Sequence, residues 1–225
     1  MFFNPLEVGM KPDPFKYTVY NALVVPRPIG WISTLSPDGV VNLAPFSFFN
    51  ALSGDPPCVM YCPNAVKPGT EEKKDSYTNV RDTSEFVFNM CTWGLRNEMV
   101  APAEHSPRDA DEMAAAGLET APCINVKPPR VKASPVALEC KHLQTIDLPP
   151  GKTSQAHMGI GQVVGIHIDD SVITDGIVDV HKMELIARLG YLDYAKIEAE
   201  NIISLKRPDR GTYDQPAAKR CNARN

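Results

Sequence analysis

At 225 residues the chain suits one large domain, and its 43% hydrophobic content is enough to bury a core. A formal net charge of −4 gives no general attraction for nucleic acid or for an anionic membrane, and no apolar run approaches the roughly 18 residues that a membrane helix needs. The 21 prolines, about twice the ordinary share, point to strand edges and loops rather than long helices.

In chain order, the opening MFFNPLEVGMKPDPF lacks the basic stretch and sustained apolar core of a signal peptide, which predicts a cytoplasmic protein. GWISTL and VVNLA flank a Ser36-Pro37-Asp38-Gly39 turn and predict a hairpin. PCVMYC is a short apolar run bounded by prolines, with Cys58 and Cys62 on one face. DSYTNVRDTSE reads as a short helix starting near Asp75 or Ser76. EFVFNMC alternates, with Phe86, Phe88 and Met90 on one face and Val87, Asn89 and Cys91 on the other. TWGLRNEMVAPA reads as helical. In SPRDADEMAAAGL, Ser106 is the expected N-cap, Pro107 the first helical residue, Asp109 the acidic partner and Gly117 the stop.

VALECKHLQTI alternates as a strand. HMGIGQVVGIHID is a long strand whose Gly159, Gly161 and Gly165 mark a bulge, a bend or the close approach of another group. KMELIARLG is a last strand or a short helix, and the polar tail from Arg207 is disordered or laid across a partner. Many short strands with few helices predict a mainly β protein, a small barrel with helical decorations; a β-sandwich fits the same pattern. We treat residues 1–225 as one domain with a core of about 20–197 and a tail at 207–225.

The letters offer no ready catalyst. Six cysteines form no CxxC pair, so no zinc site is expected and the thiols read as reduced, small hydrophobes. Five histidines lack helical metal spacing. GIGQVVG lies inside a strand rather than at a strand-to-helix turn, so it is no dinucleotide fingerprint. These absences predict a cofactor that carries the reaction while the protein binds and orients it. The segment RPIGWISTLSPDGVVNLAPFSFFN suits an isoalloxazine ring. Asn42, Ala44, Pro45 and Ser47 allow close backbone approach, Trp31 and Phe46 can wall a slot, and Ser33, Thr34 and Asn50 can supply polar contacts. An ordinary hairpin with a polar outer face would carry the same letters.

RPIGWISTLSPDGVVNLAPFSFFNALSGDPP closely resembles the flavin reductase-like family with the FMN-binding split barrel, in which RP-x-x-W-[IV]-S-T leads through a turn to N-x-A-P-[FY]-S-x-F. KKDSYTNVRDTSEFVFNM resembles the family's K-D-T-x-x-N-[IV] segment followed by E-F-V-x-N, with Ser76 in place of the usual threonine. The histidine-led strand HMGIGQVVGIHID and the closing ARLGYLDYAKI resemble two further segments, so the likeness covers about residues 20 to 197.

The resemblance implies a Greek-key split barrel with a few peripheral helices, and a homodimer with FMN near the subunit interface. It implies an NAD(P)H-dependent flavin reductase that takes electrons from NADH or NADPH. The recipient of reduced FMN would be a monooxygenase or an electron-transfer protein. A flavoredoxin-like carrier that holds FMN and exchanges electrons with a protein partner is the alternative, and a split barrel holding haem or a deazaflavin is a third. The residues carried over are Ser33, Thr34, Asn42, Ala44, Pro45, Ser47, Asn50, Lys74, Asp75, Ser76 and His157. Ser47 and Ser76 are assigned to the phosphate or ribityl chain, and His157 to catalysis beside the flavin. Two stretches depart from the family, CPNAVKPGTEEKK and Thr92 to Pro122, and the second could cover the ring.

Overall fold

The computed structural model describes residues 1–63, 66–67, 72–101, 107–151 and 155–205. Two single-turn helices, α1 (Pro5–Val8) and α2 (Tyr20–Leu23), precede strands β1 (Gly30–Leu35), β2 (Val41–Phe46), β3 (Phe49–Gly54) and β4 (Pro57–Tyr61). Helix α3 (Asp75–Thr83), strand β5 (Glu85–Met90) and helices α4 (Arg96–Val100) and α5 (Glu112–Ala115) follow. Two short strands, β6 (Thr120–Ala121) and β7 (Arg130–Val131), lead to the long pair β8 (Val136–Asp147) and β9 (His157–Ile168). Short hairpins, β10 (Ile173–Thr174) with β11 (Ile177–Val178) and β12 (Ile186–Arg188) with β13 (Tyr194–Lys196), complete the elements.

Seven strands form one antiparallel sheet in the order β2-β1-β5-β8-β9-β4-β3. Its two edge strands, β2 and β3, are consecutive in the chain and are joined only by Ser47 and Phe48. The sheet therefore curls until its edges meet at that link, while the strands themselves stay unpaired. The product is a barrel with a seam. The predicted hairpin is present, with Leu35 opposite Val41. Ser36 closes its turn, accepting from Val40 N at 3.0 Å through its hydroxyl, and Gly39 takes φ +88°.

Alternation along β1 feeds two cores. Ile32 faces the barrel interior with Phe46, Phe49, Val59, Tyr61, Val80, Phe86 and Phe88. Trp31 faces the other way, into a layer with Ile29, Leu43, Cys91, Met99, Met113 and Val131 under α4 and α5. The glycines of β9 make room for the interior rings. A Cβ at Gly161 would lie 2.4 Å from the Phe86 ring, and one at Gly159 would lie 2.9 Å from Tyr61. The close approach expected at these glycines is made by the protein's own aromatics.

The helix expected to start at Ser106 is shorter. Ser106 lies outside the described residues, Pro107 to Asp109 precede the helix, and Asp111 is the cap, accepting from Ala114 N at 2.9 Å. Gly117, at φ +71°, follows the end as expected. KMELIARLG resolves as strand β12. TWGLRNEMVAPA is a 3-10 turn running into α4. The tail from Arg207 lies outside the described residues. Among the described residues, five cysteines are free.

Candidate active site

Helix α3 packs across β1 and β2 with its N-terminus toward the end of β2. Lys74 stands before it in an extended conformation and makes no side-chain cap. Backbone N–H groups at such an end lack intrahelical partners and favour an anion. Just inside, Ser76 is 1% exposed and its hydroxyl has no hydrogen-bond partner. Asp75 ties one oxygen to Lys67 Nζ at 2.9 Å, and its other oxygen is unpartnered. Lys74 Nζ lies 5.9 Å from the centroid of the Phe46 ring. Burial pushes its pKa down, opposed by Glu112, so an arriving anion would stabilise the charge.

The first segment of the sequence divides among three places. Thr34, Asn42, Ala44 and Phe46 turn toward α3. Thr34 Oγ1 accepts from Asn79 Nδ2 at 3.1 Å. Asn42, opposite Thr34 in the ladder, donates to Glu112 Oε2 at 3.1 Å once its amide is oriented to do so, and Glu112 also accepts from Leu43 N at 2.7 Å. Ala44 packs partly buried against the barrel core.

Pro45 and Ser47 face the opposite side. They line a cleft of about 100 Å³ with Ile29, Met99, Arg188 and Tyr194. Arg188 Cζ lies 4.4 Å over the Tyr194 ring, and its backbone pairs with Arg27 at 2.9 Å in both directions. Arg27 is spent on structure: its guanidinium donates to the carbonyls of Asn21, Val24 and Leu189.

Trp31 and Ser33 do not line a slot. Both are 0% exposed. Trp31 fills the outer core, and Ser33 donates to Pro129 O at 2.6 Å while accepting from Asn89 Nδ2 at 3.1 Å. Asn50 lies exposed on edge strand β3, with its side-chain oxygen on Ala51 N.

His157, expected beside the ring, is 3% exposed. Tyr77 covers it at 4.5 Å between ring centroids, and in this conformation the imidazole offers no open face to a nicotinamide. Its contact is with α3, the same helix that carries Ser76.

Sequence reasoning missed Asn79, which fixes Thr34 across 45 residues, and Glu112, which holds Asn42 and, across 69 residues, Leu43 N. It also missed Cys123, Glu139 and His167, whose ligand atoms lie within 4.8 Å of one another. The Glu139 carboxylate there is already occupied by Ile124 N, Asn125 N and His167 Nε2.

A family model described as flavin reductase like domain matches residues 22–183. The chain belongs to the flavin reductase-like family. An uncharacterized relative from Aquifex aeolicus is 36% identical over 185 residues, 82% of this chain and 91% of that one. One from Deinococcus radiodurans is 34% identical, covering 80% and 79%.

Among solved structures, nitrilotriacetate monooxygenase component B from Bacillus cereus superposes with a TM-score of 0.80 at 24% identity, covering 91% of this chain and 98% of that one. The 2-nitrobenzoate 2-nitroreductase of Pseudomonas fluorescens gives 0.74 at 26%, covering 91% and 96%. A Shewanella frigidimarina protein described as a flavin reductase candidate with split barrel domain gives 0.72 at 19%, covering 94% and 100%. The fold of this family member is thus the split barrel, and its chemistry is flavin-related oxidoreduction.

The residues at α3 fit the phosphate end of a flavin nucleotide. A buried hydroxyl without a partner, a partly desolvated lysine and a helix N-terminus form an acceptor's environment.

Proposed function

We propose that this flavin reductase-like protein binds FMN and works as an NAD(P)H:FMN oxidoreductase. The observation that carries the reading is the Ser76 hydroxyl, enclosed and unpartnered at the N-terminus of α3. In this reading Ser76 donates to the phosphate and Lys74 balances its charge. Asp75 holds Lys67 at the rim. Asn42, fixed by Glu112, keeps a polar group on β2 beside the ribityl chain, with Thr34 buried behind it against Asn79. Pro45 and Ser47 give compact side chains at and just past the end of β2, along which the ring lies, with Asn50 reaching it from the start of β3. Bound there, FMN would supply the acceptor for hydride from NADH or NADPH and the route for its electrons onward, and the residues named above would hold and orient it.

The cleft beside Ser47, about 100 Å³, is far below the roughly 300–1,000 Å³ of sites that enclose a ligand. A second copy of the chain completing the ring site is therefore part of the proposal, as is a homodimer in the cytoplasm. Among the described residues no helix is long and apolar enough to cross a membrane.

Titration of the apo-protein with FMN, followed by flavin fluorescence, tests the reading. Quenching with a micromolar or tighter dissociation constant is expected, and no quenching up to millimolar flavin overturns it. Steady NADH or NADPH oxidation with excess FMN is expected of a reductase. A yellow protein that oxidises neither donor would instead be an electron carrier.

A further inference from the structure

One hydrogen-bonded pair, a buried histidine and an exposed aspartate, has no role in the site as described so far. His157 opens β9 opposite Asp147, the last residue of β8, and its Nδ1 lies 2.6 Å from Asp147 Oδ1. The histidine side chain is 4% exposed and the aspartate 65%. One edge of the imidazole is thus tied toward the surface while the rest is enclosed. Within that enclosure Nε2 has no hydrogen-bond partner. A buried polar atom left so is destabilising unless a ligand supplies its partner.

The surroundings specify what that partner is. Tyr77 of α3 lies against the imidazole, and the tyrosine ring is itself flanked by Lys73 Nζ at 5.4 Å and Arg81 Cζ at 5.6 Å. The backbone near the ring contributes Pro63 O, 3.5 Å from His157 N. Lys73 and Arg81 are cations that favour an anion here, while the one carboxylate in the first turn of α3, Asp75, is paired with Lys67 at 2.9 Å. An imidazole whose Nδ1–H is held by a carboxylate presents a lone pair at Nε2 when neutral and donates there only as the imidazolium; a phosphate oxygen can only accept, so the phosphate complex holds a ring protonated at both nitrogens.

We propose that Asp147 and His157 act as one unit at the phosphate end of the FMN site: Nε2–H of His157 donates to a phosphate oxygen, and Asp147 is the residue that positions the ring. The proposal rests on the reading of the α3 N-terminus as the FMN phosphate site. It makes His157 a ligand for the phosphate rather than a partner of the nicotinamide. Asp147 accepts from Nδ1–H, which keeps Nε2 turned toward the ligand, and its carboxylate balances the charge of the protonated ring.

FMN and riboflavin are titrated into the wild type and into Asp147→Ala, Asp147→Glu and His157→Ala, each checked by thermal melting. The exposure of Asp147 lets its variants fold. His157→Ala is expected to weaken FMN about tenfold and Asp147→Ala about fivefold, as for a lost charge-assisted hydrogen bond. Riboflavin, which has no phosphate, is expected to change by less than about twofold, and Asp147→Glu to recover most of the FMN affinity. In ¹⁵N spectra of the FMN-bound wild type, both ring nitrogens of His157 are expected to carry protons, and in Asp147→Ala this doubly protonated signature is expected to be lost. Equal losses for FMN and riboflavin, or FMN affinity unchanged in both alanine variants, would overturn the proposal. A wild type that binds no FMN would overturn it together with the flavin reading, whereas tight FMN binding by every variant would remove this inference alone.

Discussion

Ser76 combines two properties that pull in opposite directions. Its hydroxyl is enclosed without a partner, so the folded apo-protein carries the cost of an unmade hydrogen bond. A phosphate would supply that bond. Ser76→Ala is therefore expected to weaken FMN by about 1–2 kcal/mol, the scale of one hydrogen bond to a charged group, while riboflavin binding stays nearly unchanged. The same substitution should leave the melting temperature of the apo-protein equal to or above that of the wild type, because a buried orphan is removed. A loss of affinity accompanied by a clear drop in apo stability would mean that the hydroxyl serves the fold. Ser33 is the contrast: equally buried, its hydroxyl is fully used by Pro129 O and Asn89, so Ser33→Ala should cost stability instead.

At the scale of elements, Glu139 shows how the long strands are tied to the segment before them. It is 0% exposed, on β8 beside a register shift in its pairing with β9. Its oxygens accept from Ile124 N at 2.8 Å, Asn125 N at 2.6 Å and His167 Nε2 at 2.5 Å. Burial pushes this carboxyl's pKa up, but the two backbone N–H groups and His167 outweigh it, and the net shift is downward from 4.5. A depressed folded value means that the carboxylate stabilises the fold above the ordinary range, and that this contribution is lost as pH falls through the folded value. Glu139→Gln is expected to be less stable at pH 7 by on the order of 3 kcal/mol. Its stability should also fall less steeply than that of the wild type below about pH 4.5. Urea melts across that range measure both, and parallel pH profiles would show that Glu139 carries no such linkage.

Elements whose signals are local were legible in the sequence. The hairpin followed from Ser36 to Gly39, β8 from its alternation, β9 as a long strand with glycines inside it, and α3 as a short helix starting near Asp75 or Ser76. The capped helix failed because two capping signals competed. Ser106-Pro107 resembles a helix start, yet Asp111, closer to the apolar Met113, makes the cap. In the site, the residue types toward α3 were readable. Which of them face it was not, because that depends on Trp31 and Ser33 turning to a second core built by α4, α5 and β7. Asn79, Glu112 and Glu139 were invisible for the same reason: each acts on a partner that only the folded sheet brings near.

The whole molecule poses a question of closure. Its sheet curls far enough for β2 and β3 to meet at Ser47 and Phe48, but the two edges do not pair, and the proposed ring site lies along that seam. From Asn50 to Gly54, β3 is an exposed outer edge, with Leu52 49% exposed. The second half of β9 leaves Val164, Ile166 and Ile168 open as well. An uncovered strand edge with apolar side chains invites pairing or aggregation, and soluble proteins cover such surfaces. A two-fold copy would cover them at little cost in new sequence, since an isologous contact uses one patch twice. It would also add the walls that the small cleft at Ser47 lacks. Light scattering of the FMN-bound protein at micromolar concentration is therefore expected to return twice the chain mass of 24.7 kDa. If FMN binds across the interface, removing it should lower the concentration-dependent stability of that dimer by mass action. A mass equal to a single chain with FMN bound would overturn the dimer and require one chain to enclose the ring by itself.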